Sequence, residues 1–388
     1  MSRKELYEAG IDVSPSAFTQ QRNKLDDLFL FENILENFNL LSCDYDDKRR
    51  YKGYRVYAVD GTCVNLARDE TAASYMKPTK AVPKGYNQLH VTPLFDIYEK
   101  THKLCHITPQ PYQDEIGSLY RLLETIEDYI TEKTLIVGDR FFSSYNTIAY
   151  FQEHPQIDFL FRAKHGMNAM KAIQKLPMKS LDEYVDFTIT TTQTKEDKDS
   201  GYIFINTHKK SDKAYKTRAR RWMYGDKYHF RFRVVREKLS TGDYETLLTS
   251  LPMEEFTAEE IMDLYHGRWG IETAFRELKY TLGLTMIHGK KDLFASQEIY
   301  SAMIMGNFAN RLINQVVIDK AQGRKYEYQV NHKMAVYIAK KFFRTDHADG
   351  YKIMKDIARY ITPIRPDRQD VRNIKGQHFR GFVYRISA

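Results

Sequence analysis

The spacing of apolar positions changes along this chain, and each change marks a different kind of element. Residues 1–52 read as helical. A short helix over 5–9 is stopped by Gly10, and Ser14-Pro15 caps and opens a second helix reaching to about Leu25. From Tyr54 the pattern becomes strand-like. A first strand spans 54–59, and strands over 89–97 and 102–108 form a hairpin turning at Glu99-Lys100-Thr101. Two more strands follow over 134–137 and 158–162. Helical spacing separates them over 114–130, through Ile116, Leu119, Leu122, Leu123 and Ile126, and over 144–153.

The resulting order, β-β-β-α-β-α-β, is that of an α/β ribonuclease-H-like core. In such a core the first and fourth strands lie side by side, roughly 5 Å apart. The alternation then breaks. Residues 165–250 are mostly β, with runs such as Tyr228-His-Phe-Arg-Phe-Arg-Val-Val-Arg236, and residues 209–238 hold twelve Lys/Arg against three acids. Arg231 and Arg233 alternate with Phe230, Phe232 and Val234, which predicts a sheet with one basic and one apolar face. The basic face suits a nucleic-acid backbone or plain solvent. Thr257-Ala-Glu-Glu260 is a capping box that restarts helix. The division is therefore 1–52 helical, 53–164 core, 165–250 basic β-rich insertion, 251–290 second part of the core, and 291–388 helical with a basic tail. The apolar stretch 299–318 is interrupted by Asn307, Asn310 and Arg311, so it reads as a buried helix rather than a membrane span.

Chemistry concentrates in Tyr265-His-Gly-Arg268-Trp-Gly-Ile-Glu272-Thr-Ala-Phe-Arg-Glu-Leu-Lys279. On one helix Tyr265, Arg268, Glu272 and Lys279 fall within an arc of about 60°. Ile271, Phe275, Leu278 and Leu282 form the neighbouring apolar stripe. Gly267 and Gly270 are expected to bend the helix, so the shared face is strictest from Glu272 onward. The Glu272/Arg276 spacing would also suit a merely solvated face. Two aspartates change the balance. Asp60 ends an apolar run and precedes Gly61-Thr62, and Asp139 ends the run 134–138. Singly, each reads as a turn residue. Two such strand ends and a Glu on a core-docked helix make three carboxylates, enough to hold two Mg2+ ions about 3.5–4 Å apart for in-line displacement at phosphorus.

These residues resemble bacterial insertion-sequence transposases of the DDE superfamily, in the branch carrying a Tyr-x2-Arg-x3-Glu-x6-Lys signature (insertion sequence family 4). Tyr265, Arg268, Glu272 and Lys279 match that spacing without a gap, and Asp60-Gly-Thr and Gly-Asp139-Arg match the two other acidic blocks. The resemblance implies Asp60, Asp139 and Glu272 as catalytic metal ligands for Mg2+, with Mn2+ as a substitute. It implies Tyr265, Arg268 and Lys279 as phosphate grips, and cut-and-paste chemistry through a hairpin. It also implies a homodimer on double-stranded DNA. Against the family, the chain starts almost directly at a helix-turn-helix-like unit, which implies a short member or a 5′-truncated copy. In related transposases the insertion stacks on a displaced base, for which Trp222 and Tyr244 are candidates. Two other readings fit the same residues: a metal-dependent nuclease without strand transfer, and a truncated DNA-binding inhibitor of transposition.

Composition narrows this little further. The net charge of +8 and pI near 9.0 suit a polyanionic partner. Cys63, Cys105 and Cys43 have no zinc-like spacing, and no phosphate-binding glycine loop suggests an NTP. No apolar leader follows the first residues, so a bacterial cytosolic, nucleoid-associated location is expected. The second helix, with Ser16, Thr19, Gln20, Arg22 and Asn23 on its polar side, reads equally as a DNA-reading helix and as a surface hairpin.

Overall fold

A computed structural model of the chain describes residues 6–7, 10–25, 28–42, 49–127, 130, 132–164, 166–206, 222–318, 326–345 and 349–365. Residues 5, 8 and 9 of the expected helix over 5–9, residues 209–221 of the basic run 209–238, and all of the basic tail after Arg365 lie outside the described residues.

A large mixed sheet organises the α/β fold. Its strands are β1 (Arg55–Val59), β2 (Thr62–Leu66), β3 (Tyr75–Met76), β4 (Tyr86–Asp96), β5 (Thr101–Pro109), β6 (Thr134–Gly138), β7 (Ile157–Arg162), β8 (Leu181–Thr190), β9 (Ile203–Phe204), β10 (Lys227–Lys238) and β11 (Tyr244–Thr249). They run in the order β2-β4-β1-β6-β7-β11-β10-β8-β9, with β3 and β5 also paired to β4. β1 and β6 are parallel neighbours, as are β6 and β7. The strands of the 165–250 segment continue this same sheet, because β11 pairs antiparallel with β7. Lys100, at φ 57°, closes the β4–β5 turn where the sequence places it.

Period-2 alternation sends side chains to opposite faces. Tyr57, Val59, Ile136, Phe159 and Phe161 pack beneath the helices Glu115–Glu127 and Tyr145–Glu153, together with Phe230, Phe232 and Val234. Val56, Leu135, Val137 and Val235 face the other way, against Phe256, Ile261, Leu264 and Tyr265. Ala58 shares that second side with Ile271, Phe275 and Leu278.

The sheet's second side also receives the long helix Asp292–Gln315. The asparagines that interrupt its apolar pattern have a structural use. Asn307 accepts from the His102 backbone N–H at 2.7 Å and donates to the His102 carbonyl at 2.8 Å, while Asn310 and Asn314 donate to the carbonyls of Lys100 and Glu99. They pair backbone groups of β5 and of the turn that precedes it. Among the described residues no helix is long and apolar enough to cross a membrane.

Near the N-terminus, Ser14 caps Pro15–Asn23 by accepting from the Ala17 N–H. Arg22 does not present itself to a partner from this helix. It donates to Gln297 Oε1 and the Phe294 carbonyl, both at 2.6 Å, and lies 3.5 Å from Glu298. The Arg22 side of that helix is docked on the long C-terminal helix, whereas Ser16, Thr19, Gln20 and Asn23 are exposed.

Candidate active site

Strand register brings the two aspartates together. Val59 of β1 pairs with Gly138 of β6, so the next residues, Asp60 and Asp139, leave the two strands at the same level. Alternation gives both the face shared with Val56, Ala58, Leu135 and Val137, which is also the face of the Glu272 helix. Asp60 accepts from its neighbour's N–H, at Gly61, at 2.8 Å, and Asp139 accepts from the Phe141 N–H at 2.7 Å. These local bonds hold both carboxylates in the turns that follow the two strands. Gly138 leaves room for the aromatic support behind Asp139, since a Cβ there would meet Phe142 at 2.9 Å.

The Glu272 region is interrupted just after Gly267, where the sequence predicts a bend, but it does not run on as α-helix to Lys279. One helix, Ala258–Gly267, starts at the expected Thr257/Glu260 capping box, and a second, Trp269–Arg276, follows directly after Arg268. Residues Glu277–Thr281 then form a π turn. A π turn widens the step between residues, and such turns often mark functional sites. The four signature residues therefore differ in setting. Tyr265 is only 2% exposed, in the core cluster with Leu264 and Ile261, and burial raises its hydroxyl pKa. Its ring lies under the Arg268 guanidinium, 5.7 Å away, so it supports that group from inside the fold. Arg268 is 7% exposed and bridges two carboxylates, reaching Asp60 Oδ2 at 3.4 Å and Glu272 Oε1 at 3.2 Å. Burial works against its charge, but Tyr265, Asp60 and Glu272 outweigh it and raise the pKa. Lys279, on the π turn, donates to Thr62 Oγ1 at 2.6 Å, and burial lowers its pKa.

Electrostatics marks Asp60 as the strained member. Burial, then the charge of Asp139, pushes its pKa up to about 6, against the pull of the Gly61 N–H and Arg268. Glu115, which the sequence did not single out, adds to that push. It opens the helix over β1 and lies 3.2 Å from His90 Nε2, close enough for an ion pair but not aligned as a hydrogen bond. Burial opposes the charge on His90, yet contacts to Cys63 and Glu115 raise its pKa to about 9. An acid in a first helical turn reads only as a complement to the helix dipole. Nothing in the local sequence distinguishes Glu115 from that ordinary role.

The donor set suits a hard divalent cation. Asp60 and Asp139 offer carboxylate oxygens at adjacent strand ends, and their mutual repulsion is what a cation would relieve. Glu272 is engaged by Arg268 instead, and among the described residues no three His, Cys, Asp or Glu side chains form a group able to hold an ion.

The two expected DNA contacts of the insertion separate. Arg231 is exposed and lies over the Tyr184 ring at 5.5 Å. Arg233 is 0% exposed and does not belong to a basic surface. It donates to both oxygens of Asp182, at 2.7 and 2.6 Å, and to the Pro252 carbonyl at 3.3 Å. The chain at Leu251-Pro252 covers that face of β10, a tertiary contact that alternation cannot reveal. Trp222 packs on Tyr224 and Tyr228 and donates to the Gly225 carbonyl, and Tyr244 is half-buried at the start of β11.

With this geometry in place, comparison with known proteins is decisive at the family level. The family model described as a transposase DDE domain matches residues 51–308. This chain belongs to that family. The matched span contains Asp60, Asp139 and all four signature residues. Over 73 residues the chain is 40% identical to the putative transposase InsL for insertion sequence element IS186A of Escherichia coli K12, covering 19% of this chain and 20% of that protein. The transposase for insertion sequence element IS421 of Escherichia coli matches with the same identity and coverage. The chain thus spans about one fifth of the length of the curated relatives it matches. Among solved structures, the piggyBac transposase synaptic complex with hairpin DNA matches at 10% identity and a TM-score of 0.40, covering 81% of this chain and 59% of that one.

Proposed function

We propose that this family member is the DNA transposase of a bacterial insertion sequence. It cleaves at the element's ends and joins the freed 3′ hydroxyl to target DNA by cut-and-paste. The observation that carries this reading is the level pairing of Asp60 and Asp139 on adjacent parallel strands, with Arg268 linking Asp60 to Glu272. The strand order β5-β4-β1-β6-β7 supports a ribonuclease-H-like core, with β8 to β11 as the insertion and helical regions at either end.

Asp60, Asp139 and Glu272 would hold two Mg2+ ions, with Mn2+ as a substitute. When bound, the ions lower the pKa of water and neutralise charge at phosphorus. Arg268 beside Asp60 and Glu272, and Lys279 on Thr62 two positions from Asp60, are suited to phosphate oxygens through charge-assisted hydrogen bonds. Tyr265 orients Arg268 from below. Arg231 adds a sequence-independent contact to the DNA backbone. The working form is a homodimer on double-stranded DNA in the bacterial cytosol, with no NTP.

The test uses linear DNA carrying both flanks of the coding sequence, a supercoiled target plasmid and Mg2+. Nicked, hairpin and joined products are expected in that order. Protein that binds this DNA but yields no cleavage in Mg2+ or Mn2+ would reject the assignment.

A further inference from the structure

Asp60 and Gly61 interrupt an otherwise continuous ladder. β1 and β2 both pair with β4 in one register, since Val59 lies opposite Leu94 and Thr62 opposite Val91. The two residues between them face Pro93 and Thr92. Pro93 has no N–H to offer the ladder at the level of Asp60. Regular sheet pairing is therefore weakest at the residue whose carboxylate must be placed best.

A closed ring of side chains stands over this gap. His90 Nδ1 lies 3.7 Å from Cys63 Sγ, which donates to Gln110 Oε1 at 3.2 Å. Gln110 Nε2 donates to Gln113 Oε1 at 2.5 Å, and Gln113 Nε2 donates to Glu115 Oε1 at 2.9 Å. Glu115 Oε1 closes the ring at 3.2 Å from His90 Nε2. Its members come from β2, β4, the Gln110–Tyr112 turn with Gln113 just after it, and the first turn of the Glu115–Glu127 helix. The ring touches the gap directly: a Cβ on residue 61 would come within 2.5 Å of Glu115 Oε1 and His90 Cε1 and 2.6 Å of His90 Nε2. Only glycine lets the ring sit this close. Next along β2, Thr62 accepts from Lys279, so the same three residues join Asp60, the ring and the π turn.

We propose that His90 and Glu115, held by Cys63, Gln110 and Gln113, are positioning residues that fix the Asp60–Gly61 backbone and so set the affinity of the site for divalent ions. This rests on the metal-site reading given above. Groups that orient a metal-binding carboxylate typically change metal affinity or activity by about 10–100-fold when removed.

Calorimetric titration of the full chain with MnCl2 tests this without requiring catalysis. Glu115→Gln is expected to weaken Mn2+ binding at least about tenfold, with the metal-free melting temperature near wild type. In DNA cleavage it should lower kcat while leaving KM for DNA within a few-fold. Glu115→Asp should recover part of the Mn2+ affinity, and Glu124→Gln, on the exposed side of the same helix, should leave it unchanged. If Glu115→Gln does not fold, Gln113→Ala opens the ring without touching either charge and should still weaken Mn2+ several-fold. Wild-type Mn2+ affinity in folded Glu115→Gln, or in Gln113→Ala when only that variant folds, would overturn the proposal. Asp139→Ala separates the two claims. If it abolishes Mn2+ binding while the ring variants do not, the positioning role alone fails. If it binds Mn2+ like wild type, the metal-site reading itself fails.

Discussion

Replacing Asp60 by Asn should stabilise the metal-free protein, because the folded state holds this carboxyl at a pKa of about 6 against an ordinary value of 3.8. The sign follows from proton counting. Between those values the folded chain keeps a proton that the unfolded chain has released, so stability is present at low pH and is lost as pH rises through about 6. Above that, the ionised carboxylate costs roughly 3 kcal/mol. Thermal melts in EDTA should show Asp60→Asn more stable than wild type at pH 8, with the gain shrinking towards pH 4. A gain independent of pH would contradict the burial and Asp139 repulsion as its source. Two arginines two residues apart test the same kind of reasoning in opposite directions. Arg231→Gln should leave stability unchanged and flatten the dependence of log K on log salt for DNA by roughly one unit. Arg233→Gln should leave that slope alone and destabilise by about 1–3 kcal/mol, because the buried guanidinium's bonds to Asp182 and the Pro252 carbonyl are lost. Salt titrations of DNA affinity, read beside denaturant unfolding, check both. Equal effects of the two substitutions would refute the different surroundings assigned to them.

At the level of elements, what the sequence revealed depended on how local each cause is. An apolar run ending in an acid is local, so β1 and β6 and the carboxylates beyond them were legible, and their parallel pairing followed from strand order. The capping box at Thr257 and the helix start at Ser14 were legible for the same reason. The π turn was not, because the same spacing of Ile271, Phe275, Leu278 and Leu282 is compatible with a plain α-helix. The His90 ring was hidden too, since its bonded members are 2 to 47 positions apart and meet only through the sheet. Arg233 alternates like a surface residue, and its burial depends on a chain segment nineteen positions later. In sequence, Asn307 and Asn310 of the long helix mark only an interruption of an apolar stretch. Their contacts to β5 predict that Asn307→Ala will lower stability by about 2–4 kcal/mol, as the buried His102 N–H and carbonyl lose their partners. Denaturant midpoints measure this. A loss below about 0.5 kcal/mol would mean that those groups find other partners.

Across the whole molecule, an ion-pair network joins several elements at the strand ends opposite Asp60 and Asp139. Arg50 reaches Glu132 and Glu99, Arg55 reaches Glu132 and Asp96, and Arg311 of the long helix pairs with Glu99. The segment before β1, the sheet and the C-terminal helix are thereby joined where no chemistry is needed. The other ends of β1 and β6 are left to present Asp60 and Asp139. A net charge of +8 is consistent with a DNA-binding molecule, but the carboxylates make the stronger claim. The measurement that bears on it most directly is Mg2+-dependent cleavage of DNA containing the coding sequence's own flanks, comparing wild type with Asp60→Ala, Asp139→Ala and Glu272→Ala. The account predicts cleavage at the flanks by wild type and none by the three variants, with DNA affinity within a few-fold throughout. Cleavage by wild type in EDTA, or near-wild-type cleavage by any one of the variants, would contradict it.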